Sequence, residues 1–304
     1  MISKETKQIL EHQHYKLVGR HSAVKLCHWL KKSLKDEGFC YKQQFYGIES
    51  HRCLQFTPVI NWCNQSCIFC WRKTELTDKE EIPFSDDPDF IIEEAERQQR
   101  RLISGFGGIP ERINHHKFKE AQHPNQVAIS LAGEPLLYPH LGELIDAFHK
   151  RKYTTYLVTN GTFPKKIKEL GPLPTQFYLS LDAPNEEIYK RLDVPFIKNG
   201  WQRVNETLEL MPSLDTRKVI RLTMVKGWNM KDEKEYAKLI SKAKPDYVEV
   251  KAYMFVGDSR AKMNLENMPS HSEIREFSEN LNDHVGYKIK DEKQDSRVVV
   301  LAKK

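Results

Sequence analysis

Past residue 125, apolar runs alternate with segments whose apolar positions recur at helical spacing. The runs Val127–Ala132, Thr154–Thr159, Gln176–Leu181, Val219–Val225 and Tyr247–Phe255 are rich in β-branched and aromatic residues, which favours strands. Between them, Leu141–His149, Pro164–Leu170, Trp201–Met211 and Lys231–Ala243 read as helices. Leu54–Pro58 supplies a first strand, and Phe90–Ile103 a helix after it. Strands alternating with helices predict βαβ units and a parallel sheet. About six units are visible, fewer than a closed eightfold barrel needs. The expected fold class is therefore α/β, an incomplete (β/α)6 TIM-like barrel over residues 54–270. Its chemistry should sit at the C-terminal ends of the strands.

Two segments flank this pattern. Residues 1–53 form an N-terminal extension with a predicted helix at Ser22–Leu34 and a polar, aromatic connector, GFCYKQQFYGIES. Residues 271–304 form a C-terminal α/β extension: a helix from Glu273, then strand-like pieces at Val285–Ile289 and Arg297–Leu301 around a charged turn. No run approaches the roughly 20 apolar residues of a membrane span, and the first residues lack the apolar stretch of a secretory signal. The expectation is a cytoplasmic protein, monomeric and without a membrane partner, whose cysteines stay reduced. Of 304 residues, 30% are charged and the net charge is +6, which permits a polyanionic partner without requiring one.

The cysteines narrow the chemistry. All six lie at positions 27, 40, 53, 63, 67 and 70, and none follows. Such crowding points to metal rather than to scattered core thiols. Asn61–Arg72 reads NWCNQSCIFCWR, a C-x3-C-x2-C loop after a predicted strand. Thiolates at that spacing can converge on one face of an iron–sulfur cube, and three of them leave one iron open. Zinc on Cys63, Cys67 and Cys70 with His51 or a distant histidine is the competing reading. Zinc sites usually pair two separated knuckles, and no second knuckle follows downstream.

C-x3-C-x2-C with an aromatic residue, Phe69, before its last cysteine resembles the radical SAM superfamily. The resemblance implies a radical SAM barrel and a 4Fe-4S cluster whose open iron chelates S-adenosylmethionine. It also implies cleavage of that cofactor to a 5′-deoxyadenosyl radical. Ser130–Pro135, SLAGEP, resembles the family's Gly-Gly-Glu-Pro, so Gly133 and Glu134 would hold the methionine amino group; Ala132 stands where the family has its first glycine. VTNGT (Val158–Thr162) and YLSLDA (Tyr178–Ala183) resemble family strands that place Asn160, Ser180 and Asp182 beside the cofactor.

Cys27, Cys40 and Cys53 are evenly spaced, as C-x12-C-x12-C. Three buried free thiols would be the bland account, but Cys40 sits in a polar connector rather than on an apolar face. A second three-cysteine cluster accounts for all three. Followed by the NWCNQSCIFCWR loop, this spacing resembles the archaeal-type tRNA 4-demethylwyosine synthases over nearly the whole chain. The resemblance implies a lyase of tRNA modification that condenses N1-methylguanosine at position 37 of tRNA-Phe with pyruvate. It implies two 4Fe-4S clusters, pyruvate on the second, and an electron donor such as ferredoxin or flavodoxin. The radical would take hydrogen from the N1-methyl group and the carbon radical would attack pyruvate C2. Loss of the C1 carboxyl carbon and closure by the exocyclic amine would complete the third ring. A lysine condensed with pyruvate would make C2 more electrophilic. Lys42 is the nearest candidate in sequence; Lys251, at a strand end and with Tyr253 to assist it, is the other.

A tRNA substrate calls for cations along phosphates and aromatics against an extruded base. The candidates are Arg72, Lys73, Arg97, Arg100, Arg101, Lys117 and Lys119, with Trp71 and Trp228 for stacking. Arg97, Arg100 and Arg101 share a helical face, although any one of them also reads as solvated surface. Two other functions compete: a radical SAM enzyme with an auxiliary cluster acting on a peptide or small molecule, and a non-catalytic iron–sulfur or zinc RNA-binding protein.

Overall fold

Successive residues of a strand face opposite ways, and here the two faces have different chemistry. Leu54, Phe56, Val127, Ile129, Leu157, Phe177, Leu179, Ile220, Leu222, Val248 and Val250 are fully buried on one parity. The other parity carries Gln55, Tyr156, Tyr178, Ser180, Arg221 and Glu249. The apolar parity meets helices, and the polar one carries the candidate chemistry. The computed structural model describes residues 2–78 and 82–303.

The chain forms two compact units. The first comprises residues 2–62, 82–158 and 170–175. It contains α1 (Lys4–His12), β1 (Lys16–Val18), β2 (Ser22–Val24), α2 (His28–Leu34), α3 (Tyr41–Tyr46), β3 (Cys53–Thr57), α4 (Pro88–Ser104), α5 (His115–Ala121), β4 (Gln126–Ile129), α6 (Leu141–Lys150) and β5 (Thr154–Thr159). Strands β3, β4 and β5 pair in parallel, and the antiparallel hairpin β1–β2 adds to the edge of β3. Asp87 caps α4 by accepting from the amides of Asp89 and Phe90, and Pro88 occupies its first turn, where no amide hydrogen is needed. That helix buries Ile91, Ile92, Ala95 and Ile103. Phe56 of β3 meets Phe148 of α6 with ring centroids 6.1 Å apart.

The second unit comprises residues 63–78, 159–169 and 176–303. It contains α7 (Pro164–Glu169), β6 (Gln176–Ser180), α8 (Glu186–Leu192), α9 (Gly200–Leu210), β7 (Arg217–Met224), α10 (Glu233–Ala243), β8 (Tyr247–Ala252), α11 (His271–Val285), β9 (Tyr287–Lys293) and β10 (Val298–Lys303). Strands β6, β7 and β8 are parallel; β10 adds antiparallel to β8, and β9 to β10. Helix α11 starts at a reciprocal Ser270–Glu273 capping box and stops at Gly286, whose φ of 67° suits glycine. Three parallel strands in each unit make six, the number of βα units the sequence predicts. No helix among the described residues is long and apolar enough to cross a membrane.

The flanking segments depart from expectation. The predicted helix Ser22–Leu34 is a short strand, β2, followed by a helix that starts only at His28. Ser22–Val24 is too short to show a period, and it becomes a strand by pairing with β1 and β3. The C-terminal strands run later than predicted, because their bounds are set by pairing with each other and with β8 rather than by apolar content.

Candidate functional site

In the first unit, Cys27 and Cys40 occupy equivalent places, each immediately before a short helix (α2, α3) and each with extended backbone. Neither side chain caps its helix. Cys53 opens β3. Burial pushes the Cys53 thiol far up, and the neighbouring Cys27 and Cys40 push it further, whereas the Lys42 ammonium works the other way. The three thiols and Lys42 therefore share one electrostatic neighbourhood. Lys42, the second residue of α3, is 8% exposed, and its Nζ lies 5.0 Å from the centre of the Tyr156 ring.

The SLAGEP loop follows β4. Gly133 has a φ of +71°, and a Cβ there would lie 2.0 Å from the Val59 carbonyl oxygen and 2.6 Å from that of Trp62. Only glycine fits such an approach in that conformation. Ala132, by contrast, is not among the residues with positive φ, so its backbone does not require glycine. The Glu134 amide donates to the Trp62 carbonyl at 2.9 Å, tying the loop to the residue just before Cys63. The Glu134 carboxylate is buried, and its Oε1 accepts from the Leu136 amide at 3.2 Å. Gly133→Ala should cost about 1–2 kcal/mol from the left-handed backbone alone, plus the clash. The expected outcome is a lower melting temperature by calorimetry; a variant that melts with the wild type would refute this constraint.

In the second unit, Cys63, Cys67 and Cys70 lie on the loop that opens the unit. Burial pushes the Cys67 thiol well up; the Asp193 carboxylate adds to this, followed by Cys70 and Cys63. Its Sγ donates to Gln65 Oε1 at 3.5 Å. Asn64, beside Cys63, belongs to a closed polar triangle. Its amide donates to Thr162 Oγ1 at 2.6 Å, that hydroxyl donates to Asn160 Oδ1 at 2.6 Å, and the Asn160 amide returns to Asn64 Oδ1 at 2.8 Å. Asn160, Ser180 and Asp182 line one small cavity with Gln65 and Asp193; at about 10 Å³ it has room for roughly one water. Burial pushes Asp182 up to about 6, against the hydrogen bonds it accepts from Thr223. Burial raises Asp193 strongly, and the nearby Asp182 charge raises it further.

All six cysteines are free and half-buried. A cationic centre stabilises thiolates that burial would otherwise disfavour. Cys53 and Cys67, whose thiols are held up by burial and by neighbouring cysteines, each sit with two further thiols, a donor set that fits an iron–sulfur cluster.

The sequence does not single out one feature of this unit. Arg221 and Glu249 stand in neighbouring strands, with Nε and Oε2 3.6 Å apart and Glu249 wholly buried. Tyr178 donates to Glu249 at 3.0 Å. The strand register puts Ser180, Arg221 and Glu249 in one row across β6, β7 and β8. The available signal was a charged residue at the centre of each apolar run, VIRLT and VEVK. Lys251, two residues beyond Glu249, donates to the Ser296 carbonyl at 2.7 Å. Tyr253 is buried, with its hydroxyl on Ser259 at 2.8 Å, so it is held by Ser259 rather than by Lys251.

The proposed phosphate-tracking residues fall in both units. Arg97 pairs with Glu94, Arg100 with Glu96 and Lys117 with Asp36, all in the first unit, which also holds Arg101 and Lys119. In the second unit Arg72 is buried, which withdraws it from an open phosphate surface. Trp228 lies under the Arg191 guanidinium at 5.5 Å, and the Trp71 carbonyl accepts from the Asp258 amide at 2.9 Å. Lys73 follows on the same loop.

Six parallel strands and a three-thiol loop define a radical SAM enzyme, and the radical SAM superfamily model matches residues 57–240. A second model, described as wyosine base formation, matches residues 242–303. The chain is 54% identical over 303 residues to the S-adenosyl-L-methionine-dependent tRNA 4-demethylwyosine synthase of Pyrococcus horikoshii, covering 98% of this chain and 88% of that one. Identity to the Methanocaldococcus jannaschii synthase is 40%, covering 99% and 96%. A solved structure of TYW1 with a lysine-pyruvate adduct bound matches with a TM-score of 0.91 at 39% identity, covering 99% of this chain and 96% of that one. The chain belongs to the tRNA 4-demethylwyosine synthase family of radical SAM enzymes.

Proposed function

We propose that this enzyme condenses N1-methylguanosine-37 of tRNA-Phe with pyruvate to form the tricyclic wyosine core. The observation that carries the pyruvate half is the buried Lys42 among Cys27, Cys40 and Cys53. Support comes from the relative solved with a lysine-pyruvate adduct. When bound, the cluster on Cys63, Cys67 and Cys70 together with S-adenosylmethionine supplies a 5′-deoxyadenosyl radical, given an electron from a donor such as ferredoxin or flavodoxin. Gly133 lets its loop close against Trp62, which sets the buried Glu134 carboxylate to hold an ammonium group. Asn160, Ser180 and Asp182, which line one small cavity, would contact that cofactor. Cys27, Cys40 and Cys53 would hold a second 4Fe-4S cluster, whose open iron would supply a site for pyruvate. The Lys42 amine adds to the pyruvate C2 ketone and expels water, and the resulting C2=N bond makes C2 a better target for the substrate carbon radical. Burial of Lys42 against Tyr156 shields that bond from bulk water.

The test is anaerobic incubation of reconstituted enzyme with pyruvate and tRNA bearing N1-methylguanosine. Mass spectrometry should find the tricyclic base. Cleavage of S-adenosylmethionine without that base would overturn the substrate assignment and leave the radical chemistry standing.

A further inference from the structure

On the second unit, a cavity of about 430 Å³ opens beside α7 and the amino end of α9. That volume lies in the range of small-molecule sites and suits one nucleotide. Lys165, Lys166 and Arg203 line it, against a single carboxylate, Glu206. Glu206 accepts from the Gln202 amide at 2.9 Å. Neither Lys165 nor Arg203 has an ion-pair partner among the described residues, and Lys166 sits over the Phe163 ring at 5.3 Å. In this they differ from Arg97, Arg100 and Lys117, whose charges are met by carboxylates. Asn199, the residue that precedes α9, and Arg203 in its first turn both line the cavity. The positive end of that helix therefore adds to the potential.

The cavity adjoins the candidate active site through one buried side chain. Thr162 forms part of its wall, and the Thr162 hydroxyl is the corner of the triangle with Asn64 and Asn160. Asn64 adjoins Cys63, and Asn160 is a proposed cofactor neighbour. A polyanion seated here lies one hydrogen-bonded step from the cysteine loop.

We infer that this cavity binds the phosphodiester backbone of the substrate RNA, with Lys165 and Arg203 on phosphate oxygens and Phe163 against a sugar or base. The inference rests on the tRNA reading above and names its docking surface. Phosphate contacts release counterions, so each removed contact lowers the dependence of log Kd on log salt by about 0.7 for single-stranded nucleic acid.

The experiment compares the reconstituted wild type with the double variant Lys165→Ala/Arg203→Ala. Filter binding of tRNA bearing N1-methylguanosine is measured from about 50 to about 200 mM salt. The slope should fall by about 1.4 and affinity by about tenfold at the upper salt. KM for tRNA should rise while kcat holds, and 5′-deoxyadenosine formed without tRNA should stay at the wild-type level. Arg97→Ala/Lys117→Ala, which removes charges already paired, should leave the slope unchanged. A wild-type slope in Lys165→Ala/Arg203→Ala overturns the surface, and so does loss of tRNA-free cleavage, which would mark these residues as structural. If the slope falls but the wild type makes no tricyclic base, the RNA surface stands and the synthase reading fails.

Discussion

Alanine at Cys63, Cys67 and Cys70 together should reduce 5′-deoxyadenosine formation to background, with about four irons lost per chain. The effect should be the largest of any substitution, because the whole enzymatic acceleration, at least about 10⁶-fold, passes through the radical. The three thiols lie on one loop, and Cys67 is already placed among Cys63, Cys70 and Asp193 where only a cationic centre makes thiolates favourable. Two measurements separate chemistry from misfolding: near-wild-type circular dichroism, and retention of the iron expected on Cys27, Cys40 and Cys53. Persistent S-adenosylmethionine cleavage would remove the basis for the radical reading of this loop. The reciprocal triple variant at Cys27, Cys40 and Cys53 should keep about four irons and the cleavage but lose the tricyclic product. Native protein with only one cluster would end the case for the second site.

Lys42→Ala should lower tricyclic product at least about a hundredfold, close to 2.7 kcal/mol of barrier, while S-adenosylmethionine cleavage continues. Lys42→Arg should do no better, since a guanidinium keeps the charge but does not form the C2=N bond. Borohydride reduction with labelled pyruvate should tag the peptide carrying Lys42 in the wild type and leave it untagged in either variant. A tag on Lys251 would move the role there. The geometry argues against that outcome, because the Lys251 ammonium is engaged by the Ser296 carbonyl. Product made at the wild-type rate by Lys42→Ala would show that pyruvate is activated without a lysine at this position.

Much of the site was legible because its determinants are local. Cys63, Cys67 and Cys70 lie within one short loop, so their spacing alone constrains where the thiols can go. Gly133 was marked by its motif, and the structure supplies the reason in a positive φ and two carbonyls too near for a Cβ. Ala132 shows the converse, a departure from the family pattern at a position whose backbone does not enter the left-handed region. The pairs Arg97–Glu94 and Arg100–Glu96 were also readable, being three and four residues apart on one helix.

What the chain alone could not disclose depended on partners distant in sequence. Lys117 meets Asp36 across 81 positions, and Arg221 meets Glu249 only through the register of β7 and β8. Ser22–Val24 becomes a strand because two other segments pair with it, not because of its own composition. The period of apolar residues, a local property, sufficed for the parallel α/β architecture; the cysteine spacing pointed to an iron–sulfur loop, and the resemblance to the radical SAM superfamily implied the radical. Which cations are already neutralised, and which open onto a cavity beside the active loop, was decided by tertiary packing. Coulombic partnership depends on distance in space, and distance along the chain says little about it once strands and helices have closed over one another.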